Sequence, residues 1–158
     1  MLGLFKKDKI IEFKAPVRGE AVDLGVVPDQ VFASKMVGDG LAFQPEEGVL
    51  YAPVNSEVVQ VFPTKHALGL RTQEGLEVLI HIGIDTVELQ GEGFTSFVQP
   101  RQWVKAGDKL LAFDLDLITA KDKSTLSPLL ITNMSMVKEL KCYLGKVTPR
   151  TTVMKVKI

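Results

Sequence analysis

A short apolar beat limits this chain's fold more than any other property of its sequence. Stretches rich in Val, Ile, Leu and Phe return about every 8–12 residues, punctuated by Gly, Pro, Asn and Asp, which is the rhythm of an antiparallel sandwich or barrel. They fall at 10–15, 20–24, 41–44, 48–52, 57–62, 67–71, 77–81, 109–114, 129–132 and 152–157. Helical spacing is confined to Asp116–Lys121 and to Met136–Lys141, where Ser135 offers an N-cap. The expected fold class is all-β, a sandwich and barrel-like antiparallel hybrid with one or two very short helices.

The sequence also echoes itself. Ala15-Pro16-Val17-Arg18-Gly19-Glu20-Ala21-Val22 matches Ala52-Pro53-Val54-Asn55-Ser56-Glu57-Val58-Val59, with Phe32 and Phe62 ending the segments that follow. Two related β-modules in one body are expected, with coincidence as the rival reading; two copies are too few for a solenoid. Each proline fixes φ and removes a donor, so each copy belongs at a strand start or sheet edge.

With 158 residues, 46% of them apolar, the chain suits one domain. We expect residues 10–158 to form it and residues 1–9 to be a short flexible lead. In that lead Leu2, Leu4 and Phe5 stand beside Lys6, Lys7 and Lys9, which suits at most peripheral contact with an anionic membrane. No apolar run approaches the roughly 20 residues of a membrane span. Basic and acidic residues number 19 each and are spread along the chain, which argues against nucleic acid as a partner. The single Cys142 cannot make an internal disulfide, and a reducing cytoplasm is the expected location.

Of all residue types, the two histidines carry the most chemistry. If 67–71 and 77–81 form a hairpin centred between Gln73 and Glu74, residues summing to 147 face each other, so His66 opposes His81. Leu68 and Leu79, with Leu70 and Glu77, then share their face. A three-residue loop with Gly75 in the left-handed region shifts this register by one and parts the pair unless something compensates.

Paired imidazoles suit phosphoryl transfer. A neutral ring nitrogen is a nucleophile, its phosphoryl adduct is reactive enough to pass on, and a second ring can donate to the equatorial oxygens. The Gly83 carbonyl is a ready acceptor for the other nitrogen of His81. Zinc is the chemical rival, with Asp85 as a third ligand to His66 and His81.

The stretch Val78-Leu79-Ile80-His81-Ile82-Gly83-Ile84-Asp85-Thr86-Val87-Glu88-Leu89 resembles the active-site signature of the enzyme IIA component, glucose family, of the bacterial phosphoenolpyruvate-dependent sugar phosphotransferase system. Family-like segments recur in order at 27–32, 37–40, 64–67, 90–94, 105–108 and 123–128, covering nearly the whole chain. The resemblance implies an all-β body and a phosphotransferase component with a phosphohistidine intermediate. His81 would accept a phosphoryl group from the carrier HPr and pass it to a cysteine of a sugar-specific IIB domain during uptake. It assigns His66 to steadying that group, Thr64 to orienting the His66 ring, and Gly83 to the carbonyl partner.

It also implies a partner surface of Val31, Phe32, Val37, Phe62, Leu79 and Val87, with Asp29 and Asp85 as peripheral acids. No cofactor or resident metal is expected, although zinc held by His66 and His81 in a complex with a partner's carboxylate is compatible. A purely regulatory binding module is the other alternative within the family. Leu68 departs from the aromatic residue of some relatives, and the lead before Phe13 is short for a membrane-docking helix. A free-standing carrier is expected, with a piece of a larger transporter as the alternative.

Overall fold

All ten apolar stretches become strand in a computed structural model, which describes residues 7–158. In chain order the strands are β1 (Ile10–Lys14), β2 (Gly19–Asp23), β3 (Asp39–Pro45), β4 (Val49–Tyr51), β5 (Ser56–Val61), β6 (Ala67–Thr72) and β7 (Glu77–His81). They continue as β8 (Phe94–Ser96), β9 (Trp103–Val104), β10 (Lys109–Phe113), β11 (Ser127–Ile131), β12 (Glu139–Cys142), β13 (Gly145–Val147) and β14 (Thr152–Lys157). The α-helices are α1 (Gln30–Ala33) and α2 (Leu115–Ala120), each capped by an aspartate: Val31 N donates to Asp29 and Leu117 N to Asp114. The membrane-facing turn read at Met1–Lys9 rests on residues 1–6, which lie outside the described residues.

The helix expected at Met136–Lys141 with Ser135 as its cap does not form. Met134–Met136 make one 3-10 turn whose N-cap position is Asn133, and the chain then enters β12. Cross-strand partners decide this: Leu140 pairs with Val156, while Glu139 and Lys141 pair with Lys157 and Lys155, placing the Glu139 carboxylate 3.2 Å from Lys157 Nζ.

The repeat is structural. The large sheet runs β13-β2-β3-β11-β7-β6-β5-β9, and the two small sheets run β1-β14-β12 and β4-β10-β8. Exchanging β2 for β5, β3 for β6, β11 for β7, β13 for β9 and each small sheet for the other leaves the order unchanged. The backbone bonds obey the same exchange. Lys14 N donates to Pro53 O (2.8 Å) as Tyr51 N does to Pro16 O (2.7 Å), and Ala15 N donates to Thr151 O (2.9 Å) as Ala52 N does to Asp108 O (2.7 Å). A pseudo-two-fold axis therefore passes between the Ala-Pro-Val segments, whose Ala15, Val17, Ala52 and Val54 are buried.

Alternation in the central strands feeds two apolar layers. Leu41 and Phe43 of β3, Val78 and Ile80 of β7, and Leu129 and Ile131 of β11 enter the main core with Phe13, Leu68 and Leu110. Ala42 and Leu130 point the other way and join Leu24, Val27, Phe32 and Ile84 in a smaller cluster, against which Val37 and Leu79 pack. β11 is consequently buried on both faces. The smaller cluster builds up one outer face of the large sheet, and His81 shares that face with Leu79.

Candidate active site

Residue 81 closes β7, and its side chain alternates with buried Ile80, so the ring stands over the smaller apolar cluster beside Phe32 (ring centroids 5.1 Å apart, planes at 56°). His81 Nδ1 lies 2.6 Å from the carbonyl oxygen of Gly83. A carbonyl only accepts, so Nδ1 carries the proton and Nε2 is left as a bare nucleophile.

That carbonyl is held from several sides. Gly83 has φ +66°, and a Cβ there would stand 2.7 Å from both Ser124 O and Thr86 Cγ2. Gly83 N donates to Ser127 Oγ (3.1 Å), Ile84 N donates to Ser124 O (3.0 Å), and Thr86 Oγ1 donates to Ile82 O (2.5 Å). Only glycine fits both the left-handed backbone and the space. Ser124, Thr86 and Ser127 were not singled out from the sequence. Ser127 and Ser124 reach Gly83 and Ile84 from a distant loop, the Ser127 contact spanning 44 residues, which no local pattern signals, whereas Thr86 bonds Ile82 only four residues away.

His66 reaches the site by a different route from the one expected. β6 and β7 pair with Ala67 opposite His81 and Leu68 opposite Ile80, a register one residue away from the direct His66–His81 opposition. The cause is the turn: Gly75 takes φ +103° and Gly75 N bonds Thr72 O, making the three-residue loop. Leu68 and Leu70 therefore face the main core, not the histidines, and Gly69 and Ala67 are the residues beside Leu79 and His81.

A second turn restores the meeting. Lys65 N bonds Phe62 O (2.7 Å), and Lys65 takes φ +58°, so His66 leaves strand alternation just before β6 begins. Its ring comes to 4.9 Å from that of His81, at 78° to it. Thr64 Oγ1 lies 2.5 Å from His66 Nδ1, and Phe62 closes the far side in an edge contact at 5.6 Å. Phe32, His81, His66 and Phe62 thus stand in series, and both imidazoles are anchored through Nδ1 with Nε2 left over.

Residues 11–137 match the family described as phosphoenolpyruvate-dependent sugar phosphotransferase system, EIIA 1. The chain belongs to that family. It is 46% identical over 158 residues to a glucose-specific EIIA component of Bacillus cereus, covering 99% of this chain and 96% of the relative. Against a glucose-specific EIICBA component of Staphylococcus saprophyticus it is 53% identical over 124 residues, 78% of this chain but 18% of that longer protein. Among solved structures, glucose permease IIA from Mycoplasma capricolum superposes with a TM-score of 0.87 at 42% identity, covering 96% of this chain and 97% of that one.

Electrostatics in this EIIA fold keep both rings neutral near pH 7. Burial first, and the neighbouring His81 second, hold the His66 pKa down at about 4. Burial also lowers His81, against the Gly83 carbonyl and the charges of Asp29 and Asp85, which pull the other way. Thr64 can therefore donate to His66 Nδ1, which leaves an Nε2–H free to donate. The two histidines find no third ligand: among the described residues no group of three His, Cys, Asp or Glu side chains could hold a metal, so Asp85 does not complete the zinc site considered from sequence.

The remaining predicted residues fall into three groups. Phe32, Phe62 and Leu79 line the ring series or its floor, and Val37 packs on the same small cluster. Val31 (46% exposed) and Val87 (50% exposed) present apolar surface to solvent. Asp29 and Asp85 act on His81 through space; Asp85 holds φ +59° at the start of the 3-10 turn Thr86–Leu89 without a side-chain capping bond, so its carboxylate stays free. Leu68 is fully buried in the main core, on the face away from the histidines.

Proposed function

We propose that this EIIA-family chain is a phosphohistidine carrier that takes a phosphoryl group from HPr on His81 Nε2 and delivers it to a cysteine of a sugar-specific IIB domain. The observation that carries the proposal is the pair of neutral rings 4.9 Å apart, with His81 Nδ1 committed to Gly83 O. In acceptance, the Nε2 lone pair forms a bond to phosphorus as the donor's N–P bond breaks and its electron pair returns to the donor ring. In delivery, a cysteine thiolate forms the S–P bond, the His81 N–P bond breaks, and Nε2 regains its lone pair.

His66 is the positioning partner. Its Nε2–H is free to donate to a phosphoryl oxygen, a charge-assisted bond in a partly dry site, with Thr64 fixing the ring. Val31, Phe32, Val37, Phe62, Leu79 and Val87 would supply contact area, and Asp29 and Asp85 would steer cationic partners, an apolar centre with a charged rim. The absence of a long apolar helix among the described residues agrees with a carrier that visits a transporter and does not span the bilayer.

The test is incubation with phosphoenolpyruvate, enzyme I and HPr, followed by mass spectrometry. One acid-labile, base-stable phosphoryl group at His81, absent from His81→Ala, is expected. Labelling elsewhere, or none, overturns the reading.

A further inference from the structure

A depression of about 630 Å³ straddles the pseudo-two-fold axis. Its Gly107 wall adjoins Ala106, whose N–H bonds Asn55, next to the Ser56 end of β5. Ser56 pairs with Thr72, whereas His81 pairs with Ala67 at the other end of β6, so the depression is separate from the histidines.

Its lining joins residues the pseudo-symmetry relates. Lys14 corresponds to Tyr51 and Arg150 to Gly107, as the paired bonds of Lys14 with Pro53, Tyr51 with Pro16, Ala15 with Thr151 and Ala52 with Asp108 require. Arg18, likewise lining, corresponds to Asn55. Every cation in the lining thus comes from one module's side, and the other side is neutral and hydrogen-bonding. No carboxylate lines it, in a chain with equal numbers of acids and bases.

The cations are poorly neutralised. Lys14 Nζ donates to Thr152 Oγ1 (2.9 Å), and Arg18 meets Glu47 through a single long contact of 3.4 Å between half-exposed side chains. Arg150 has no carboxylate partner among the described residues. Its backbone is fixed instead, Arg150 N donating to Thr148 Oγ1 (3.3 Å) and Thr148 N to Thr151 Oγ1 (3.0 Å). Two guanidinium forks and an ammonium around a concavity match the oxygens of a phosphate better than those of a single carboxylate. The volume also falls within the range of small-molecule sites.

We infer that this axial depression binds a multiply charged, phosphate-bearing anion, with the phosphate on Lys14, Arg18 and Arg150 and the remainder against Tyr51 and Gly107. Half-exposed cations give a salt-sensitive site. The same chemistry is presented by a soluble phosphate compound and by an anionic lipid headgroup. The inference does not depend on the histidine chemistry.

The test is titration of the isotope-labelled full chain with inorganic pyrophosphate, followed by amide shifts. A parallel arm measures co-sedimentation with phosphatidylglycerol vesicles against phosphatidylcholine vesicles. Saturable shifts centred on Arg18, Gly107, Thr148 and Arg150, weakened at least 10-fold in Arg18→Gln/Arg150→Gln, support a soluble ligand. Vesicle binding lost in that variant without saturable pyrophosphate binding supports the headgroup. Non-saturating shifts spread over the surface lysines together with no preference for phosphatidylglycerol vesicles, or binding in either arm that is unchanged in the variant, overturn the inference. An unchanged melting temperature of the variant shows that the loss is local.

Discussion

Replacing Gly83 by alanine probes the joint between fold and chemistry. At φ +66° an L-residue pays about 1–2 kcal/mol for the left-handed backbone. The new methyl also stands 2.7 Å from Ser124 O and from Thr86 Cγ2, one of them backbone and unable to swing aside. Overpacking of that kind costs about 1–3 kcal/mol, so a total destabilisation of about 2–5 kcal/mol is expected. For a domain of this size that lowers the melting temperature by roughly 4–20 °C, readable in a thermal scan by circular dichroism. Relief of the clash moves the carbonyl that His81 Nδ1 uses, and displacement of a reacting group by about 1 Å is worth on the order of 100-fold in rate. Nitrogen-15 NMR of the ring should show Nδ1 losing its share of the proton, and phosphorylation by HPr should slow. A Gly83→Ala protein that melts with the parent and keeps the Nδ1–H tautomer would refute the argument that glycine is there to aim this carbonyl.

Further outcomes are expected at the same site. His66→Gln should accept a phosphoryl group but deliver it poorly, measured as single-turnover transfer to a IIB domain; blocked acceptance with intact delivery would reverse the division of roles. Stability should fall on acidification. His66 has a folded pKa of about 4 against 6.5 unfolded, so the unfolded chain binds more protons and the contribution present above pH 6.5 drains away towards pH 4. Between pH 7 and pH 5 that amounts to roughly 2 kcal/mol, and urea denaturation of His66→Gln should lack this part of the loss. Ser127→Ala strands the Gly83 N–H and should cost about 1–3 kcal/mol, with a slower phosphoryl acceptance than the loss of stability alone explains.

Much of the architecture was legible because one-sided burial writes itself into sequence as alternation. β1, β3, β6, β7 and β14 were placed by that signal to within two residues at each end. β8, β9, β12 and β13 were not, since two to four residues carry no period, and β12 was misread as helix from spacing that its pairing with β14 overrides. α1 was missed for the same reason of brevity, although Asp29 caps it. The repeated Ala-Pro-Val pointed correctly to two modules, which the symmetric bonds of Lys14 and Tyr51 express.

By itself the sequence determined the chemical inventory: two histidines, a threonine two residues before one and a glycine two residues after the other, on a chain patterned for antiparallel sheet. Those offsets survive folding because they are local, set by a few backbone dihedrals. Tertiary structure alone decided that the rings meet. The hairpin register separates His66 from direct opposition to His81, and a left-handed Lys65 swings it back. The resting protonation of both rings was likewise settled only by packing, since burial depends on what Phe32, Phe62 and the second apolar layer bring from elsewhere in the chain.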